Sequence, residues 1–271
     1  MAAERVREGG EPAARPGEEA GHRNFFAPPP WPPAGGEVAL SAEESRHAHR
    51  AARVPAGVVI RLVDGEGREA SAQVVRAGRA ALVARLLEVR EVEREDARAW
   101  TLALPRLRAP ARMDWVIEKA TELGCRAVLA YAAGRSLKGG RATREGRTER
   151  WRALALAAMK QSGRAWCPRI DEHASLAAAL DAWAAGARRG RLLFGDERGL
   201  AFDAVPAFER GRALLIAVGP EGGFTPEERA ELARRGGEGV LLAPYRLRSE
   251  SAAVCLAALV AARLAGGADG R

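Results

Sequence analysis

The stretch Leu214-Leu215-Ile216-Ala217-Val218-Gly219-Pro220-Glu221-Gly222-Gly223-Phe224-Thr225-Pro226-Glu227-Glu228 decides how this chain is read. Its apolar start has the length of a buried strand, and the glycines that follow mark a turn. Thr225 then reads as a helix N-cap, with Pro226 at the first helical position and Glu228 completing a capping box. About twenty residues on, the pattern recurs. Val240 to Leu242 reads as a strand, Pro244-Tyr245-Arg246-Leu247-Arg248-Ser249-Glu250-Ser251 as a polar loop, and the apolar run beyond it as a helix. In an open α/β sheet ligands bind at the carboxyl ends of strands. Two such loops imply one site built mostly from backbone.

The glycine loop excludes two familiar sites. It lacks the lysine and the spacing of a phosphate loop, Glu221 would repel phosphate, and the GxGxxG dinucleotide pattern is absent. Gly219, Gly222 and Gly223 leave room for a ligand against the main chain, although a tight strand-to-helix turn would also need glycine. An acidic residue with backbone groups suits a ligand without phosphates, such as an adenosine whose ribose hydroxyls need acceptors. In the second loop Ser249 or Ser251 fits a helix cap, and Glu250 favours the positive helix end. That account leaves Arg246 and Arg248 unexplained.

Working outward, strands alternate with helices from Trp100 on. Thr101–Leu104, Ala127–Tyr131, Leu192–Phe194 (ending at Gly195-Asp196-Glu197), Ala213–Val218 and Val240–Leu242 read as strands. Met113–Leu123, Thr148–Ser162 and Leu176–Ala185 read as helices, the first two stopped by Gly124 and Gly163, with a polar loop from Gly134 to Gly146. The alternation implies a parallel sheet covered by helices. Before it, Val58–Val63, Ala72–Val75 and Ala81–Val89 read as short strands. Ser41 with Glu44 makes a capping box for a helix carrying His47, His49, Arg50 and Arg53. Residues 1–21 have almost nothing to pack and read as a disordered tail. Residues 22–95 form a small β-barrel domain, residues 96–271 the α/β domain, and the charged run Arg90–Arg98 the linker.

The formal charge of +8 favours an anionic partner such as nucleic acid. Lys119, Lys138 and Lys160 are the only lysines, so the charge is almost all arginine, as a GC-rich genome would also produce. Cys125, Cys167 and Cys255 are scattered and form no CxxC pair, which argues against a disulfide framework and a zinc site. His47 and His49 lack a third ligand, so no metal is expected. The run Ala252–Ala262 is too short to span a bilayer and ends at Arg263, and no signal-peptide region precedes the barrel. The expectation is a reduced, cytoplasmic protein.

Taken together, Ile216 through Glu228 and Leu242-Ala243-Pro244-Tyr245-Arg246-Leu247-Arg248-Ser249-Glu250-Ser251-Ala252 resemble the paired cofactor loops of the 16S rRNA uracil-N3 methyltransferases, the RsmE family of the SPOUT superfamily. Arg112-Met113-Asp114-Trp115 through Gly124, Arg135-Ser136, Arg150-Trp151, Gln161-Ser162-Gly163-Arg164, Arg23-Asn24-Phe25-Phe26 and His47 to Arg53 extend the resemblance from Arg23 to the end. Three departures stand out. Ala243-Pro244-Tyr245 replaces the family's Gly-Pro-Arg, serines stand at 249 and 251 where threonines are common, and Lys160 stands where glutamate is usual.

The resemblance implies a trefoil-knotted α/β domain behind a PUA-like barrel, a homodimer, S-adenosylmethionine as cofactor, and methylation of uridine N3 in the RNA of the small ribosomal subunit. It implies cofactor contacts from Gly195, Gly219, Pro220, Glu221, Gly222, Gly223, Leu242, Pro244, Leu247, Arg248 and Glu250. RNA contacts would come from Arg23, Arg50 and Arg53 on the barrel and from Arg112, Arg135 and Arg164 near the knot. N3 attacks a methyl group already activated on sulfur, so alignment and stabilisation of the uracil anion are the main tasks. No general base is assigned, and Arg248 and Glu250 are the catalytic candidates. The pairing edge must be exposed, so the base is unpaired or flipped out. The alternatives are a non-catalytic RNA-binding ribosome-assembly factor, a SPOUT methyltransferase acting on another RNA position, or an α/β enzyme unrelated to RNA, which the missing GxSxG elbow and phosphate loop disfavour.

Overall fold

The computed structural model describes residues 24–50, 53–78, 80–92, 100–134, 143–186, 190–209 and 211–266. Arg23, Arg135 and the expected tail lie outside them, as do residues 93–98 of the expected linker. The chain divides into two compact units, Met1–Asp64 with Arg68–Glu91, and Gly65–Gly67 with Val92–Arg271.

In the first unit β1 (Asn24–Phe26), β2 (Glu37–Ala39), α1 (Ala42–Arg50), β3 (Val59–Val63), β4 (Arg68–Ala77) and β5 (Leu82–Glu91) build a five-stranded sheet of order β1-β3-β4-β5-β2. Only the β1–β3 pair is parallel. One face carries Phe25, Ile60, Leu62, Val74 and Leu86 into a core with Trp31. β1 and β2 have three residues each, too few for a periodic signal in the sequence. At α1 the Glu44 amide donates to Ser41 Oγ at 3.1 Å, as a cap requires, while the Glu44 carboxylate accepts from the Phe26 amide at 3.1 Å and so ties the helix to β1. The helix ends at Arg50. Arg53 is therefore not on it, contrary to expectation, and adopts φ 46°. His47 packs edge-on against Phe25, with centroids 6.0 Å apart.

The second unit contains β6 (Trp100–Pro105), α2 (Pro110–Glu122), β7 (Cys125–Tyr131), α3 (Arg144–Gln161), β8 (Arg169–His173), α4 (Leu176–Gly186), β9 (Arg191–Ala201), β10 (Leu214–Ala217), α5 (Pro226–Arg234), β11 (Glu238–Leu241) and α6 (Ser249–Gly266). Every pairing in the sheet, of order β11-β9-β10-β6-β7-β8, is parallel. Its central strands are buried on both faces, as a covered parallel sheet must be. In β10, Leu214 and Ile216 enter the core shared with α2, α3 and α6, while Leu215 and Ala217 enter the opposite core under α4 and α5.

Several boundaries differ from the sequence reading. α3 starts at Arg144 because Thr143 caps it, accepting from the Gly146 amide, so residues 144–146 are its first turn and not loop. β8, with its polar sequence Arg-Ile-Asp-Glu-His, carries no apolar run and escaped notice. α6 extends past the apolar run at both ends and is, by length and composition alone, long enough to cross a membrane. It nevertheless carries Ala253, Leu256, Ala257 and Val260 into the core.

β9 contains the feature that shapes the site. Phe194 pairs with Gly239, yet Leu200 pairs with Val240, the next residue on β11. Residues 195–199 thus leave the ladder and bulge at its carboxyl end. The bulge closes where Gly199 meets the β11 backbone, since a Cβ there would lie 2.4 Å from Gly239 C and Val240 N. Gly199→Ala should therefore lower stability by about 1–3 kcal/mol, read as a reduced denaturant midpoint. An unchanged midpoint would show that the bulge is not closed this way.

Candidate functional site

β11, β9 and β10 are neighbours, so the segments after β10 and β11 and the β9 bulge converge. Together they line a cleft with about 120 Å³ of water-accessible space. Its apolar wall is Val218, Phe224, Val240, Leu242 and Leu247, and its polar rim includes Asp196, Glu197, Glu221, Arg229 and Arg246.

Each loop is held locally. Val218 follows the buried strand β10, and its amide donates to Ala103 O at 3.2 Å. Its carbonyl accepts from the Tyr131 hydroxyl at 2.7 Å, a bond made deep enough that burial pushes the Tyr131 ionisation upward. The Gly223 amide closes a turn on Pro220 O at 2.7 Å with Gly223 at φ 72°, where a side chain would strain the backbone. At Gly219 a Cβ would lie 3.1 Å from the Phe224 amide nitrogen. These two glycines are thus required by the loop's own path, whereas the sequence also allowed a ligand's approach as the reason. The expected capping box is present. Glu228 N donates to Thr225 Oγ1 at 3.2 Å and Thr225 N to the Glu228 carboxylate at 2.9 Å. The other Glu228 oxygen accepts from the Gly134 amide at 3.0 Å and so ties α5 to the end of β7.

The second loop is stitched to the first. The buried Ser249 hydroxyl donates to Gly219 O at 2.8 Å, bridging the loops instead of capping α6, where Ser249 is already the first helical residue. Arg112, on α2, makes a second link, donating to Glu221 Oε1 at 2.8 Å and lying 3.3 Å from Glu250 Oε1. The remaining Glu250 oxygen is buried with no hydrogen-bond partner. Glu197 holds Arg246 at 2.8 Å, and Asp196 holds Arg229 at 2.5 Å.

Of the expected cofactor residues, Gly195, Gly219, Pro220, Glu221, Gly223, Leu242 and Leu247 line the cleft, and Gly222, Pro244, Arg248 and Glu250 adjoin it in the same two loops. The Arg248 side chain is exposed and has no ion-pair partner among the described residues. Two arginines expected to touch RNA have internal duties. Arg112 links the loops, and Arg164 donates to Thr121 O at 2.7 Å and Cys125 O at 3.2 Å at the end of α2. Arg50 is exposed. Asp196, Arg229, Tyr131 and Arg112's bridging role were missed. They are distant in sequence from the loops they support, and only the Gly195-Asp196-Glu197 strand end hinted at one of them.

Two measurements test this geometry. Ser249→Ala should reduce stability by about 1 kcal/mol, because Gly219 O loses its donor, while Ser249→Thr should retain most of it. Burial raises the Cys125 thiol to about 12 and that of Cys167 to about 11, so both are protonated at pH 8. Ellman's reagent should therefore leave the buried Cys125 unlabelled until unfolding, and rapid labelling of Cys125 in a folded Cys167→Ser/Cys255→Ser variant would refute that burial.

The RNA methyltransferase domain family model matches residues 94–261. The chain is 34% identical over 244 residues to the Ribosomal RNA small subunit methyltransferase E of Mycobacterium bovis, covering 84% of this chain and 87% of that protein. The crystal structure of a probable rRNA-methyltransferase from Porphyromonas gingivalis superimposes with a TM-score of 0.73 at 25% identity, over 90% of this chain and 99% of that one. The crystal structure of a Ribosomal RNA small subunit methyltransferase E from Neisseria gonorrhoeae bound to S-adenosyl methionine has the same fold, with a TM-score of 0.75 at 24% identity over 87% and 95% of the two chains. The matched span contains every residue that lines the cleft, and this chain belongs to the RNA methyltransferase domain family.

Proposed function

We propose that this chain transfers a methyl group from S-adenosylmethionine to N3 of one uridine in the 16S RNA of the small ribosomal subunit. The observation that carries the proposal is the stitched pair of loops at the carboxyl ends of β10 and β11, in a chain that aligns along most of its length with a small-subunit rRNA methyltransferase. The cofactor supplies a methyl group activated on a sulfonium.

The residues present suit that ligand. Gly195, Gly219, Pro220, Gly223, Leu242 and Leu247 offer a backbone-rich, partly apolar cradle for a flat nucleoside without phosphates. Gly222 and Pro244 shape the same loops, Glu221 stands at the rim as an acceptor, and Glu250 keeps a buried oxygen in need of a donor. Arg248, exposed and without an ion-pair partner among the described residues, is the group best placed to steady negative charge on the uracil oxygens. Glu250 is the carboxylate candidate for receiving the N3 proton.

Further parts of the reading rest on the same basis. The return of the chain from the β11 edge to set Ser249 on Gly219 supports a trefoil knot of SPOUT type. The mixed sheet with its single helix supports a PUA-like barrel that binds RNA, with Arg50 and Arg53 as its contacts. The protein acts as a cytoplasmic homodimer, in line with a substrate that is ribosomal RNA.

Labelled S-adenosylmethionine incubated with small subunits lacking the modification tests the proposal. Labelled 3-methyluridine at one position is the expected result. Cofactor binding with no label in the subunits would overturn the substrate, and absence of cofactor binding would favour an assembly factor that keeps the fold alone. Gly219→Val, which sets a branched side chain against the Phe224 backbone, should reduce cofactor affinity at least tenfold.

A further inference from the structure

Tyr245 is the most exposed large hydrophobic side chain among the described residues, at 83%, with Leu200 next at 54%. The ring lines the cleft and is held on a short, anchored loop. Arg246, its neighbour, is tied to Glu197 on the β9 bulge at 2.8 Å, and Ser249 is tied to Gly219 at 2.8 Å. An exposed aromatic ring in the lining of a cleft, on a loop whose neighbours are tied, offers a flat ligand a surface to stack on.

Charge decides between the flat partners available. Arg246 and Arg248 follow the ring in the same loop, and the exposed Arg248 has no ion-pair partner among the described residues. The flat part of the cofactor, its adenosine, carries no charge for a guanidinium beside the ring to meet, whereas a nucleotide brings a phosphate. The apolar wall of Val218, Phe224, Leu242 and Leu247 lies within the cleft, so a cofactor can be enclosed without Tyr245. Unpaired RNA bases are commonly held by stacking on aromatic rings beside arginine. We infer that Tyr245 stacks on an unpaired base of the RNA substrate and positions the strand for methyl transfer. This inference rests on the RNA reading proposed above.

The test compares wild type, Tyr245→Ala and Tyr245→Phe in three measurements. These are calorimetric binding of S-adenosylmethionine, filter binding of unmodified small subunits, and steady-state methyl transfer. Tyr245→Ala should weaken subunit binding and raise KM about ten- to a hundredfold, with kcat and cofactor affinity within twofold of wild type. Tyr245→Phe should restore both, because it keeps the ring and loses only the hydroxyl. Unchanged RNA affinity in Tyr245→Ala would overturn the inference. So would an equal loss of cofactor affinity, which would put the ring on the cofactor, or a change in sedimentation, which would put it against a second copy. Wild-type protein that binds subunits but transfers no methyl group would fail the proposed reaction, while the binding comparison would still judge Tyr245.

Discussion

The Ser249 hydroxyl donates to the Gly219 carbonyl across a separation of thirty residues, and that bond joins the two loops that the neighbouring strands β10, β9 and β11 bring together. The intervening chain goes out to the sheet edge through α5 and β11, then returns to begin α6 against its own earlier loop. Tyr131 below and Arg112 alongside fix the same junction, one through Val218 O and the other through Glu221 and Glu250. Tyr131 comes from β7, whose register the parallel sheet sets, and Arg112 and Ser249 come from helices packed on that sheet.

This arrangement separates what holds the site from what the site offers. Gly219 and Gly223 serve the path of the backbone. Most rim carboxylates are paired within the protein, Asp196 with Arg229, Glu197 with Arg246 and Glu221 with Arg112. Against that background a buried Glu250 oxygen without a donor stands out, since buried polar atoms are nearly always satisfied. The exposed Arg248 and Tyr245 are the complementary features, a cation and a ring directed to solvent at the same rim.

Much of this architecture was legible in the sequence because it is written locally. The apolar runs of β6, β7 and β10 and the Thr225–Glu228 capping box depend on neighbouring residues, and the structure contains them. The glycines after α2 and α3 also act locally, at φ 90° and 70°. What failed to show was non-local or too short. β1 and β2 lack length, and β8 lacks apolar residues. The placement of β10 between β9 and β6 follows from packing the whole sheet. Arg112 and Arg164 carry no local mark distinguishing an internal link from an RNA contact, and Ser249 looks the same whether it caps a helix or crosses to another loop.

Amide hydrogen exchange with and without S-adenosylmethionine shows whether the loops after β10 and β11 form one cofactor site, as proposed. Slower exchange in residues 218–224 and 242–249 together, with residues 24–91 unaffected, is what the geometry requires. Protection of only one loop, or of neither while calorimetry reports binding, would contradict the claim and place the cofactor elsewhere.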